Sequence, residues 1–217
     1  MYQLDTESAR KADQRGGQIT ETGKYLGVFT KAEDITTAAP KNTRGIDFAF
    51  KSNGGQSCRF AIYTEKGDGS RINIGHAFVM AMLTCLRLRA IQPTASKFKK
   101  WDNDAGAEVD VDGKLFHDLQ GKPIGVLLEA EDYTKNNGDT GRRMVLAGVF
   151  QADTELTASE ILDRKTVPAQ LAKIVESLRD RKARPAYGAA PQRQPQQAAS
   201  IAAPRTSFDD MDDDIPF

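Results

Sequence analysis

The chain has 217 residues, 39% hydrophobic and 28% charged, enough for one buried core and an extension. No apolar run approaches the ~20 residues that span a bilayer. The polar stretch Met1–Gln18 does not read as a secretion signal, and two cysteines, Cys58 and Cys85, exclude a disulfide-dense scaffold and fit a reduced cytoplasm.

The net charge of zero hides an asymmetry. Residues 209–217 hold five aspartates and no Lys or Arg, so residues 1–208 carry 30 basic against 25 acidic side chains. A mildly basic body ends in a strongly acidic tip.

In chain order, residues 1–20 read as a flexible leader, 21–182 as a globular domain, 183–208 as a linker and 209–217 as the tip. The domain opens with a strand at Lys24–Thr30. Arg44–Lys51 alternates Ile46, Phe48 and Phe50 with Asp47, Ala49 and Lys51. Ser57–Thr64 alternates Cys58, Phe60 and Ile62 with Arg59, Ala61 and Tyr63. Period two places each set on its own strand face, and Asn53-Gly54-Gly55 between the runs predicts an antiparallel hairpin.

Ile74–Ala90 spaces Ala, Met and Leu at helical intervals, predicting a largely buried helix with Arg87 and Arg89 emerging at its C-terminal end. Residues 93–121 are polar and Gly-punctuated and read as a loop. Strands at Pro123–Asp132 and Arg142–Ala152 flank a turn over Lys135–Asp139, and Leu156–Asp180 reads as helical with a break near Pro168. The class is mainly β with helices (α+β). Five strands with a helix between the third and fourth match the order of an OB-fold, a small five-stranded barrel, here with added helices and a disordered C-terminal tail.

Ala183–Phe208 contains eight Ala, four Pro, four Gln and three Arg with no acid. It offers little apolar surface to offset the entropy of ordering, which predicts a disordered tether.

The tip reads Asp209-Asp210-Met211-Asp212-Asp213-Asp214-Ile215-Pro216-Phe217. Its carboxylates repel one another and keep it solvated, while Pro216 fixes its own φ and biases Ile215 towards extended backbone. Taking Phe217 as the terminus, the matching receptor has an apolar hole for the ring, an Arg or Lys for the terminal carboxylate and a basic rim for Asp209, Asp210, Asp212, Asp213 and Asp214. Burying the ring contributes roughly 1.5–3 kcal/mol.

Asp212-Asp213-Asp214-Ile215-Pro216-Phe217 resembles the C-terminal tip of bacterial single-stranded DNA-binding proteins, and the Gln/Pro/Ala linker resembles theirs in composition. The resemblance implies a protein that coats single strands and recruits replication, recombination and repair proteins through its last Pro and Phe. Residues 21–182 do not align with the usual core of that family. The whole is more similar to a divergent bacteriophage or mobile-element type, and only tip residues are carried over.

Sequence-tolerant binding of a single strand needs cations that track phosphates and rings that stack bases. Arg59 and Tyr63 share one strand face, with Lys51 on the polar face of the neighbouring strand. Lys97-Phe98-Lys99-Lys100-Trp101 interleaves cations with aromatics on the expected loop, close in sequence to Arg87 and Arg89. Arg142 and Arg143 form a further candidate pair. Each set also has a bland reading, as an ordinary solvated sheet face or as a basic loop whose Phe98 and Trp101 cover the core.

Phosphate-loop, dinucleotide and zinc signatures are missing from the sequence, and His76 and His117 stand alone. The reading is therefore a non-enzymatic single-stranded DNA-binding protein without metal or cofactor. It acts in the bacterial cytoplasm or nucleoid, including that of a phage-infected cell, away from membranes. Homo-oligomerisation is compatible with it. The alternative is a non-DNA-binding adaptor or recombination accessory protein that uses the tip to engage host replication proteins.

Overall fold

A computed structural model of the chain describes residues 16–102, 106–135 and 138–182. Expectations for residues 1–15 of the leader, for the linker and for the tip lie outside the described residues.

The fold is mainly β with helices. Its strands are β1 (Gly17–Gln18), β2 (Gly23–Thr36), β3 (Arg44–Ser52), β4 (Gln56–Glu65), β5 (Thr94–Asp102), β6 (Ala107–Leu115), β7 (Pro123–Thr134) and β8 (Thr140–Gln151). Its helices are α1 (Asn73–Cys85), α2 (Ala158–Leu162) and α3 (Gln170–Ser177). The loop expected over 93–121 is instead the β5–β6 hairpin, in register from Thr94↔Leu115 to Asp102↔Ala107, followed by a 3-10 turn at His117–Leu119. The leader ends earlier than expected. Gly17 and Gln18 pair in parallel with Gln56 and Ser57, and Ile19 is buried.

The strands run in the order β1-β4-β3-β2-β6-β5, with β7 beside β2 and β8 beside β7. β2 organises the sheet. Its first half, Gly23–Val28, pairs with β7; Gly27–Thr36 pairs with β3 along the other edge; and Glu33 meets Leu115 of β6. A register shift between Phe29 and Lys31 lets one long strand serve these neighbours in turn, since a bulge bends and twists the strand that carries it. Among the described residues β4 and β8 share no ladder, so the sheet is open at that seam.

The alternation in β3 and β4 builds the core as the sequence predicts. Ile46, Phe48, Phe50, Cys58, Phe60 and Ile62 are all buried. Phe29 joins them, its ring centroid 4.7 Å from that of Phe48, and Phe48 stacks on Phe60 at 5.5 Å. Such ring pairs stabilise by about 0.5–1.5 kcal/mol beyond their burial. Val79, Met82, Leu83 and Cys85 of α1 close this core from above. A smaller cluster of Leu127, Phe150, Leu171 and Leu178 seats α3.

Helix α1 stops five residues before the expected Ala90. Leu86 caps it, Arg87 adopts a left-handed φ of 55°, and the N–H groups of Arg87 and Leu88 donate to the carbonyls of Thr84 and Leu83. This is a Schellman stop with Arg where Gly is usual, so composition does not announce it.

Residues 156–180 form two short helices rather than one stretch. Thr157 and Glu160 make a capping box at the start of α2. The other oxygen of Glu160 accepts from the N–H groups of Ala169 and Gln170, at 2.7 and 2.9 Å, where α3 begins. One fully buried carboxylate thus satisfies orphan donors of both helices. No helix among the described residues is long and apolar enough to cross a membrane.

Candidate nucleic-acid interface

Antiparallel pairing turns the alternation into a surface. Across β3 and β4, Ala49 opposes Arg59, Asp47 opposes Ala61, Gly45 opposes Tyr63 and Lys51 opposes Ser57, all on the face away from the phenylalanine core. β2 continues that face with Lys31 and Glu33, opposite Ala49 and Asp47.

The charges on this face are linked. Arg59 donates through Nε to Asp47 Oδ2 at 2.7 Å, and this bond holds the guanidinium firmly protonated. Glu33 is 7% exposed and accepts from both Lys31 and Lys100, each at 3.0 Å. Burial alone would push its carboxyl up. The two lysine hydrogen bonds and charges outweigh that and hold it below the usual carboxylate range.

Lys100 belongs to β5, so this contact fastens the β5–β6 hairpin to the face. Beside it Phe98 lies under the Lys31 ammonium, 4.7 Å from ring centroid to nitrogen. The ring covers Gly113 of β6, where a Cβ would sit 2.8 Å from it.

The β7–β8 hairpin repeats the device. Tyr133 pairs with Gly141, its ring so close that a Cβ there would lie 2.5 Å away. The Arg143 guanidinium stands 5.4 Å from the ring centroid and 2.7 Å from Glu131. Between β4 and β8, at the open seam, runs a groove of about 440 Å³ lined by Asp47, Arg59, Ala61, Tyr63, Glu131 and Arg143 among others.

The structure therefore brings together Arg59, Tyr63 and Arg143 in one groove, with Lys51 exposed on the adjoining face. Phe98 and Lys100 are placed on a strand, not on the expected loop, and face Lys31 and Glu33. Lys97 and Lys99 have the opposite parity; Lys97 is well exposed, with Asp112 at 4.0 Å. Trp101 lies in β5, and its side chain is outside what the structure describes.

Three arginines of the candidate set, Arg142, Arg87 and Arg89, do not line the groove. Arg142 binds the carbonyl of Thr20 and the carboxylates of Asp132 and Asp180, so it ties the segments around Thr20 and Asp180 to the β7–β8 hairpin. Arg87 lines a different cavity of about 380 Å³, with Lys122 and Asp153. Arg89 follows α1 and makes no ion pair among the described residues.

Lys31 and Tyr133 were missed because each lies just past an expected strand end, Thr30 or Asp132. Tyr133 had a usable signal: it and Gly141 are equidistant from the centre of the 135–139 turn, which makes them a cross-strand pair. Among the described residues no group of three His, Cys, Asp or Glu side chains could hold a metal ion.

No protein-family model matches the chain, and no curated protein matches it.

Proposed function

We propose that this is a non-enzymatic single-stranded DNA-binding protein that coats exposed strands in replication, recombination or repair and recruits partner enzymes through its Asp-rich C-terminal tip. The observation that carries the reading is the convergence of Arg59, Tyr63 and Arg143 on one open groove, with the Tyr133 ring beside Arg143. Cations beside half-exposed rings are what a flexible polyanion with flat bases requires.

The strand order supports it. β2, β3, β4, β7 and β8, with α1 after the third, follow the order of an OB-fold, and the groove occupies the seam where such a barrel would close. In this reading the β5–β6 hairpin is an added arm, and phosphates exchange with Asp47, Glu33 and Glu131 for their cations. The tip residues through Phe217 act as the docking element for basic-rimmed apolar pockets on partners.

The test is anisotropy of a labelled oligothymidine at two salt concentrations, with a duplex of equal length as control and Trp101 fluorescence as a second signal. Tight, salt-sensitive binding of the single strand alone supports the reading. No binding at low salt overturns it.

A second reading has its own observation. Arg59 and Arg143 are both ion-paired within the chain, which lowers the positive potential of the groove. A non-DNA-binding adaptor, using the tip to engage replication proteins, has no need of free cations there. The same titration separates the two.

A further inference from the structure

Next to the charged groove of Arg59 and Arg143 lies a second cavity of about 300 Å³, and its chemistry is different. Ile72, Ile74 and Phe78 around the start of α1 face Tyr63 of β4 and Val145 of β8, and Tyr63 brings the only side-chain polar group of the lining. The two cavities adjoin, since Ala61, Tyr63 and Val145 line both.

The apolar surface is open to solvent. Ile74 is 73% exposed and Tyr63 39%. Large apolar side chains left exposed beside a cavity indicate a ligand face more than a fold requirement. Gly75 sets the geometry. A Cβ there would fall 1.8 Å from the Tyr63 carbonyl oxygen, so only glycine lets the helix approach β4 this closely and present Ile74 at the rim.

Building on the single-strand reading, we propose that this cavity is a nucleobase subsite. One base of the bound strand leaves the groove and lies against Tyr63, walled by Ile74, Phe78 and Val145, while its flanking phosphates stay with Arg59 and Arg143. The juxtaposition has the polarity of a nucleotide, anionic along the backbone and flat and largely apolar at the base. With so few polar groups in the lining, the subsite accepts bases with little hydrogen-bond readout. Hydrophobic contact then favours thymine, whose methyl group gains most from an apolar wall.

The test compares oligothymidine with an all-abasic strand of the same length, using the full chain, Ile74→Gln and Tyr63→Leu. Both substitutions are neutral in charge and lie at exposed positions, and melting curves check that each variant is folded. The expected result is about a tenfold loss for oligothymidine in either variant, the effect of one lost base contact, with abasic affinity and the salt slope unchanged. Equal losses on both strands, or none on either, overturn the subsite while leaving the coating reading intact. A change in sedimentation of Ile74→Gln without any change in affinity overturns it too and assigns the cavity to contact between protein copies. Failure of the unaltered chain to bind oligothymidine at low salt overturns the coating reading and the subsite with it.

Discussion

Lys100 Nζ lies 3.0 Å from Glu33 Oε1, although 67 residues separate them. Through this contact, and through the Phe98 ring under Lys31, the β5–β6 hairpin, whose register with β2 is the Glu33↔Leu115 pair, is held against the outer face of β2. Because Lys31 shares the same carboxylate, one acid sets the position of two cations and of the Phe98 ring beside them.

Glu33→Gln is therefore expected to loosen the arm and at the same time to strengthen strand binding. Amide exchange across β5 and β6 rises severalfold as the arm loosens, while affinity for oligothymidine rises about threefold and the salt slope steepens by about one, because two lysines are released to phosphates. The pH dependence has a definite sign. The folded-state pKa of Glu33 is depressed, so the contact is complete above the ordinary carboxylate range and is lost as pH falls through the depressed value. Exchange of β5 measured down the acid range checks this.

Neighbouring arginines on β8 are expected to behave differently. Arg143→Ala, like Arg59→Ala, lowers single-strand affinity about three- to tenfold and reduces the salt slope by about one. Arg142→Ala leaves the slope unchanged and instead lowers the melting temperature, since it breaks the links to Thr20 and Asp180. Titration at several salt concentrations, with a thermal melt of each variant, distinguishes them.

Tyr133→Ala should cost about tenfold in affinity for single strands, the typical contribution of one stacked base. Tyr133→Phe should retain nearly all of it, because the ring and its contact with Gly141 and Arg143 remain. An equal loss in both variants would point to the hydroxyl and contradict stacking.

Glu160 controls the joint between α2 and α3. Hydrogen bonds from the Thr157 and Ala169 backbones, opposed by burial, and those from the Gln170 backbone and the Thr157 hydroxyl lower its pKa from 4.5 to about 2. A depressed carboxylate stabilises the folded state fully above its unfolded value, and that contribution disappears as pH falls from about 4.5 towards about 2. Glu160→Gln is expected to lower the melting temperature at neutral pH by roughly 2–4 °C and to flatten the acid limb of the stability curve. Thermal melts of both proteins from neutral to acid pH check both points.

Much of this architecture is written locally. Period-two alternation alone assigns Phe48, Phe50, Phe60 and Ile62 to the core and Arg59 and Tyr63 to the opposite face, because successive strand residues must point to opposite sides. Asn53-Gly54-Gly55 marks its turn, and the break near Pro168 separates two helices as a residue without an N–H should. The acidic tip is legible for a similar reason: its chemistry lies in consecutive residues.

The remainder depends on contacts between distant segments. Residues 94–115 look like a loop because their alternation is mostly polar, and they become a hairpin through mutual pairing and the bond from Lys100 to Glu33. Arg142 and Arg143 are chemically identical neighbours, yet strand parity and the partners on each face make one a structural clamp and place the other in the groove. Alternation, turns and charge repulsion follow from neighbouring residues alone. Which cations meet which rings follows from the folded sheet, because a cross-strand or cross-element contact is set by register and curvature, which no local pattern contains.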